Sequence, residues 1–186
     1  MDETVSFIAM ADGTEEDYRL LERLEKPFMA ELPQRVLAHL ELLKEGYGGY
    51  KIDRYQHSLQ TATRAQREGA DEETIVAALL HDIGDTIAPL AHGPMAAAIL
   101  SPYVSPETAW LLDKHPLFQG YHYFHHYGMD RNLREKYRGH PAFERTVHFC
   151  DAWDQASFDP NYDTAPIEAF MPMLHRLFEK PRWRVG

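Results

Sequence analysis

The chain has 186 residues, 44% of them hydrophobic, and a net charge of −10. That length suits one sizeable core, so a single domain over 1–186 is expected, and the acidic balance disfavours a nucleic-acid or anionic-membrane partner. No apolar run reaches the ~18 residues of a membrane span, no signal-peptide pattern is found, and the single cysteine, Cys150, excludes an internal disulfide, so a cytoplasmic protein is expected.

Residues 1–13 read as an irregular arm. Thr14 is a cap before Glu15, Glu16 and Asp17, acids suited to a first helical turn. Tyr18, Leu21 and Leu24 follow at helical spacing until Pro27 interrupts. Leu32 to Lys44 forms a second amphipathic helix, with Pro33 in its first turn. These elements, 1–44, precede an expected core at 45–160. The core begins with a glycine-rich loop, Gly46 to Tyr50, and a helix from Asp53 to Glu68, stopped by Gly69. Asp71 then caps a helix in which Val76, Ala77, Leu79, Leu80 and Ile83 cover nearly every side. A helix that is apolar all round belongs in the centre of a core.

After a loop with Pro89, His92 lies at a turn and Met95 to Leu100 forms a short helix. Ser105, Pro106 and Glu107 start the next helix, which is expected to end at His115 because Pro116 follows. Residues 117–127 crowd aromatics and histidines together, suiting either core cover or a pocket wall. Arg131 to Arg138 reads as a charged, solvated helix. Pro141 to Phe158 reads as one long helix closed by Asp159 and Pro160. Residues 161–186 hold a closing helix, Pro166 to Glu179. No strand-like alternation of useful length occurs, and the fold class is all-α.

The central helix ends in His81 and Asp82. Burying an unpaired charge costs several kcal/mol, on the order of a domain's whole stability, unless something holds it. A hydrogen-bonded His–Asp pair would do so, and so would a cation, which takes both groups deprotonated. Eleven histidines in the chain favour the cation. His57, His81, Asp82, His92, His115 and Asp154 are the candidate ligands. They are too many for one zinc ion and include no thiolate, and imidazole with carboxylate favours iron or manganese over calcium or magnesium. Two such metals can activate water for phosphoester hydrolysis, and two irons can bind O2.

His57, His81-Asp82 and a late-helix aspartate resemble the signature of the HD-domain superfamily of metal-dependent phosphohydrolases, over roughly residues 45–160. Tyr47-Gly48-Gly49, Gln56 to Gln60, Ala77 to Gly84, His92, His115 and Ala152-Trp153-Asp154 resemble more closely its mixed-valent di-iron oxygenases. That group contains myo-inositol oxygenase and the small bacterial enzymes that cleave C–P bonds of hydroxylated phosphonates. The resemblance implies an Fe(II)/Fe(III) pair held by the six candidates, O2 as co-substrate, and Tyr47 in a loop over one iron. It also favours Asp154 over Asp151 as the last ligand. Tyr47 and Asp85, which follows the HD pair, are the catalytic candidates.

The departures concern substrate. Two lysines that hold phosphonate oxygens in that group fall at Gln119 and Phe158, so a dianionic phosphonate would lose two charge-assisted contacts of roughly 1.5–3 kcal/mol each. Gln119, Tyr121, Tyr123, Trp153 and Phe158 are the expected substrate contacts, suited to a less charged or cationic organic group. The expected function is O2-dependent cleavage of a C–P or C–C bond in a small hydroxylated molecule. The alternatives are a phosphohydrolase acting on a nucleotide or phosphomonoester, and a metal-stabilised binding module.

Overall fold

The computed structural model describes residues 3–46 and 48–182. By its internal contacts the chain divides into two compact units, 1–37 and 38–186. In the first unit, Asp17 ties the arm to helix α1 (Glu15–Ala30). Its carboxylate accepts from Thr14 N and from Ser6 N, at 2.9 and 2.7 Å. Thr14 Oγ1 accepts from Asp17 N in return, completing a capping box. Pro27 does not interrupt α1, which runs on to Ala30. The carbonyl four residues earlier loses its donor, but on this exposed helix water can replace it.

Helix α2 (Leu32–Glu41) ends short of Lys44, and Leu42–Glu45 tightens into a 3-10 turn. In the second unit, α3 (Arg54–Arg67) packs on α4 (Glu72–Leu80). The link between them is set by Gly69 at φ +83°, with Gly69 N bonded to Gln66 O and Ala70 N to Ala65 O. Those two bonds close a left-handed helix end that suits glycine. Every residue of α4 from Thr74 to Leu80 is buried, and the helix meets α3, α6 (Pro106–Gln119) and α8 (Met171–Phe178). Fully burying Leu79 or Leu80 stabilises the fold by about 1.5–3 kcal/mol each. No strand occurs among the described residues, and none of their helices is long and apolar enough to cross a membrane.

Four expectations are corrected. α5 is His92–Leu100, so His92 opens a helix rather than preceding one. α6 continues through Pro116 to Gln119. Proline offers no N–H to Leu112 O, but His115 Nδ1 donates to that carbonyl at 2.8 Å, so the helix loses no partner there. Arg131–Tyr137 is a 3-10 segment rather than a solvated helix, with Arg134 buried against the Tyr121 ring and Asp151. The last core helix is α7 (Phe143–His148), which passes into a π-helical turn at Phe149–Asp154.

Gly93 marks a close approach of α5 to α6. A Cβ there would lie 2.7 Å from Leu112 O and 2.8 Å from Pro116 Cγ. Gly93→Ala is therefore expected to lower unfolding free energy by about 1–3 kcal/mol. Gly46→Ala, whose Cβ would meet nothing closer than 3.5 Å, should change it little. Urea unfolding of both variants checks the pair.

Candidate metal centre

Four histidines from α3, the end of α4, the start of α5 and α6 turn the same nitrogen inward. Each ties Nδ1 to a backbone carbonyl: His57 to Ser157 at 2.9 Å, His81 to Ala78 at 2.8 Å, His92 to Pro89 at 3.2 Å and His115 to Leu112 at 2.8 Å. A carbonyl only accepts, so Nδ1 carries the hydrogen and Nε2 presents a lone pair, which is the arrangement of a ligating imidazole. Local structure supplies the tethers. Ala78 O is among the last carbonyls of α4, and Leu112 O is the one Pro116 cannot serve.

The inward atoms meet on two carboxylates. His57 Nε2 lies 3.1 Å from His81 Nε2 and 3.2 Å from Asp154 Oδ1, and His81 Nε2 lies 3.7 Å from that oxygen. Asp82 divides between two groups. Its Oδ2 is 3.4 Å from both His57 and His81, and its Oδ1 is 3.5 Å from His92 and 3.4 Å from His115. Two neutral imidazoles with lone pairs facing at 3.1 Å cannot bond each other, so the contact needs either a proton on one Nε2 or a cation. A cation between them removes the conflict. Donors about 2.1 Å from one first-row cation stand roughly 3.0–3.4 Å apart, close to these edges. The residues therefore fit cation binding: His57, His81 and Asp154 form one group, and Asp82 stands beside His81 with His115 and beside Asp85 with His92.

Charge in the metal-free centre is arranged to match. Burial disfavours ionised Asp82, but His81, the His115 bond and Arg54 outweigh it and hold the carboxyl well below the ordinary range. Asp154 is likewise held low, because bonds from His57 and His81 overcome burial. Burial alone would lower His81, yet Asp82 and Asp154 push it up to about 9. Burial lowers His115.

The sequence left Asp151 and Asp154 as rivals on one helix. The π-helical turn, with Gln155 N bonded to Cys150 O at 3.1 Å, separates them. Asp154 enters the centre. Asp151 faces His122 at 3.0 Å and Arg134 at 3.1 Å.

A cavity of about 520 Å³ opens over the centre, and Asp85, Gln119, Tyr123 and Phe158 are among its walls. Asp85 pairs with His92 Nδ1 at 3.3 Å and Arg54 Nε at 2.9 Å, and burial and then Asp82 raise its carboxyl. Phe158 stacks on His57 with centroids 4.3 Å apart. Burial keeps the Tyr123 phenol raised and therefore protonated. Two of the expected contacts stand outside the cavity. Tyr121 is covered by the Arg131 and Arg134 guanidiniums, and Trp153 donates its indole N–H to Glu68 at 2.6 Å, so neither lines this cavity. Tyr47 lies outside the described residues. Sequence reasoning gave no site role to Tyr50 and His122, which also line the cavity. Arg54 also lines it, and its position one turn before His57 puts it on the same helix face. Arg54 Nη1 bonds Asp82 Oδ2 at 3.0 Å.

Two measurements test this centre. Asp154→Asn is expected to lower the metal bound per chain, while Asp151→Asn keeps it and loses only the ion pairs with His122 and Arg134; elemental analysis of the purified variants reads this. The second concerns pH. Because the His81 value is raised, its proton stabilises the metal-free fold fully below about pH 6.5, and that contribution is lost as pH rises through about 9. A cation must displace the proton, so metal affinity should gain about tenfold per pH unit approaching 9 and then level. The Mn(II)-induced thermal shift, measured from pH 6.5 to 8.5, should grow; a constant shift rules this out.

A family model described as HD domain matches residues 54–154, more than half of the chain. A search of curated proteins finds no match. HD domains bind divalent metals and are generally enzymes, metal-dependent hydrolases or catalysts of related reactions. The matched span opens one residue after the cap of α3 and closes on the aspartate that the π-turn delivers, and on that match the chain belongs to the HD domain family.

Proposed function

We propose that the chain is an O2-dependent di-iron oxygenase that cleaves a C–P or C–C bond of a small hydroxylated molecule. The observation that carries this reading is the pairing of two imidazole-rich ligand groups across Asp82 with a cavity poor in free cationic side chains. Imidazole with carboxylate favours iron or manganese over magnesium. Arg54 is the only lysine or arginine among the described residues of the walls, and Asp82 and Asp85 already engage it. A phosphate dianion would have to compete with those carboxylates, whereas a hydroxyl needs no such cation.

Bound irons would supply O2 activation and a binding point for the substrate hydroxyl. The protein supplies position and proton control. Asp85, raised by burial and by Asp82, is a base at the cavity wall that can take the hydroxyl proton at Oδ1. Its contact with His92 Nδ1 also helps fix that ring's tautomer. Tyr123 keeps its phenolic hydrogen and can donate it to a substrate oxygen. Phe158, stacked between His57 and Tyr50, screens the first ligand group from water.

HD family membership supports a second reading, metal-dependent hydrolysis of a phosphoester. The two readings separate on oxygen. The iron-loaded protein, offered a panel of 1,2-diols, α-hydroxyphosphonates and nucleotides, is expected to consume O2 with a hydroxylated compound and to give an S = 1/2 signal on partial reduction. Asp85→Asn should slow that turnover by roughly 100-fold or more with metal content unchanged. Phosphate release from a nucleotide at the same rate without O2 would replace the oxygenase reading by the hydrolase.

A further inference from the structure

Gln119 entered as a substrate contact, but its hydrogen bonds point elsewhere. The residue is the last of α6, one turn beyond His115, and forms part of the cavity wall. Its Nε2 donates to Asp154 Oδ1 at 3.1 Å. That is the same oxygen that stands 3.2 Å from His57 Nε2 and 3.7 Å from His81 Nε2. That oxygen faces two imidazole nitrogens as an acceptor, so the amide presents its N–H to it.

The other end of the amide gives the second observation. Gln119 Oε1 is buried, and no donor among the described residues reaches it. A buried acceptor left unpaired is destabilising. With the amide reversed, two acceptors would face each other in a buried site. The side chain therefore sits where one end is unmet so that the other can reach Asp154.

We propose that Gln119 is a positioning residue for the cation group of His57, His81 and Asp154. It holds Asp154 Oδ1 on the His57–His81 edge and draws part of its charge, so this cation group depends on the glutamine and the His92–His115 group does not. The inference rests on the two-cation centre and is independent of whether the reaction uses O2.

The test is a calorimetric titration of the metal-free full chain with Mn(II) alone. Wild type is expected to take up two ions. Gln119→Met keeps the length of the side chain and removes the donor. It should weaken uptake by one of the two sites by 10- to 100-fold, the usual range for removing a partner behind a ligand, and leave the other within about threefold. Gln155→Met is the control, because that amide also lines the cavity but donates to Asp151 O at 2.9 Å and not to Asp154. Equal affinities in wild type and Gln119→Met overturn the proposal, and so does equal weakening of both sites. Should Gln119→Met fail to fold, a crystal structure of the Mn(II)-loaded wild type decides. Nε2 within hydrogen-bond distance of Asp154 supports the assignment, and an amide turned away from Asp154 overturns it. Failure here would leave O2 uptake unaffected, and absence of O2 uptake would leave this dependence intact, so the two readings fail separately.

Discussion

Two imidazole nitrogens, each with its hydrogen committed to the far side of the ring, face each other across 3.1 Å between His57 and His81. Nothing in an apolar core stabilises that contact unless a proton or a cation lies in it. The structure commits much to keeping it. Four rings are anchored through Nδ1 to carbonyls on separate stretches of chain, and two buried carboxylates stay ionised beside them. Such groups are among the most expensive a core can hold without partners. Their convergence makes sense as a site whose missing partner is positive charge, and the fold around it can be read as the means of bringing those rings together.

The means are backbone irregularities more than packing. Pro116 leaves Leu112 O without its helical donor, and that vacancy orients His115. Gly93 allows α5 to rest against Leu112 and Pro116, and Gly84 lets the first turn of α5 approach the HD turn, where a Cβ would lie 2.8 Å from His92 Cα. The π-turn inserts one residue into the last core helix and points Asp154 inward. In each case a feature that weakens a regular helix sets the direction of a ligand, as expected of strained or irregular backbone at a functional site. The apolar face of α4 supplies the stability against which these departures are tolerated.

Electrostatics links the centre to the cavity. Arg54 bonds both Asp82 and Asp85, so its guanidinium is turned toward the ligands. A phosphate-binding pocket would turn such a group toward the open space. The aromatic rings fall into two sets. Tyr50 and Phe158 stack onto His57, and Tyr123 faces the cavity as a neutral phenol. Tyr121 and Trp153 serve buried pairings outside it.

The amino-acid order by itself determined the helical class, the caps at Thr14, Asp71 and Ser105, the stop at Gly69, and a central helix apolar on all sides that ends in His81 and Asp82. These are local facts, because caps, glycine turns and hydrophobic period act over a few residues. The HD resemblance also pointed to His57 and a late-helix aspartate, and the finer oxygenase resemblance to His92, His115 and Asp154. What sequence could not decide was direction. An α-helical reading puts Asp151 and Asp154 on nearly one face, and a single inserted residue in the turn separates them. Pro27 and Pro116 look like breaks, yet both helices continue, because the orphaned carbonyl lies on an exposed helix in one and meets a histidine in the other. Tyr121 and Trp153 look like pocket aromatics until Arg131, Arg134 and Glu68 claim them. The last two outcomes depend on partners from 10 to 85 positions away along the chain, and only the folded arrangement brings such partners into contact.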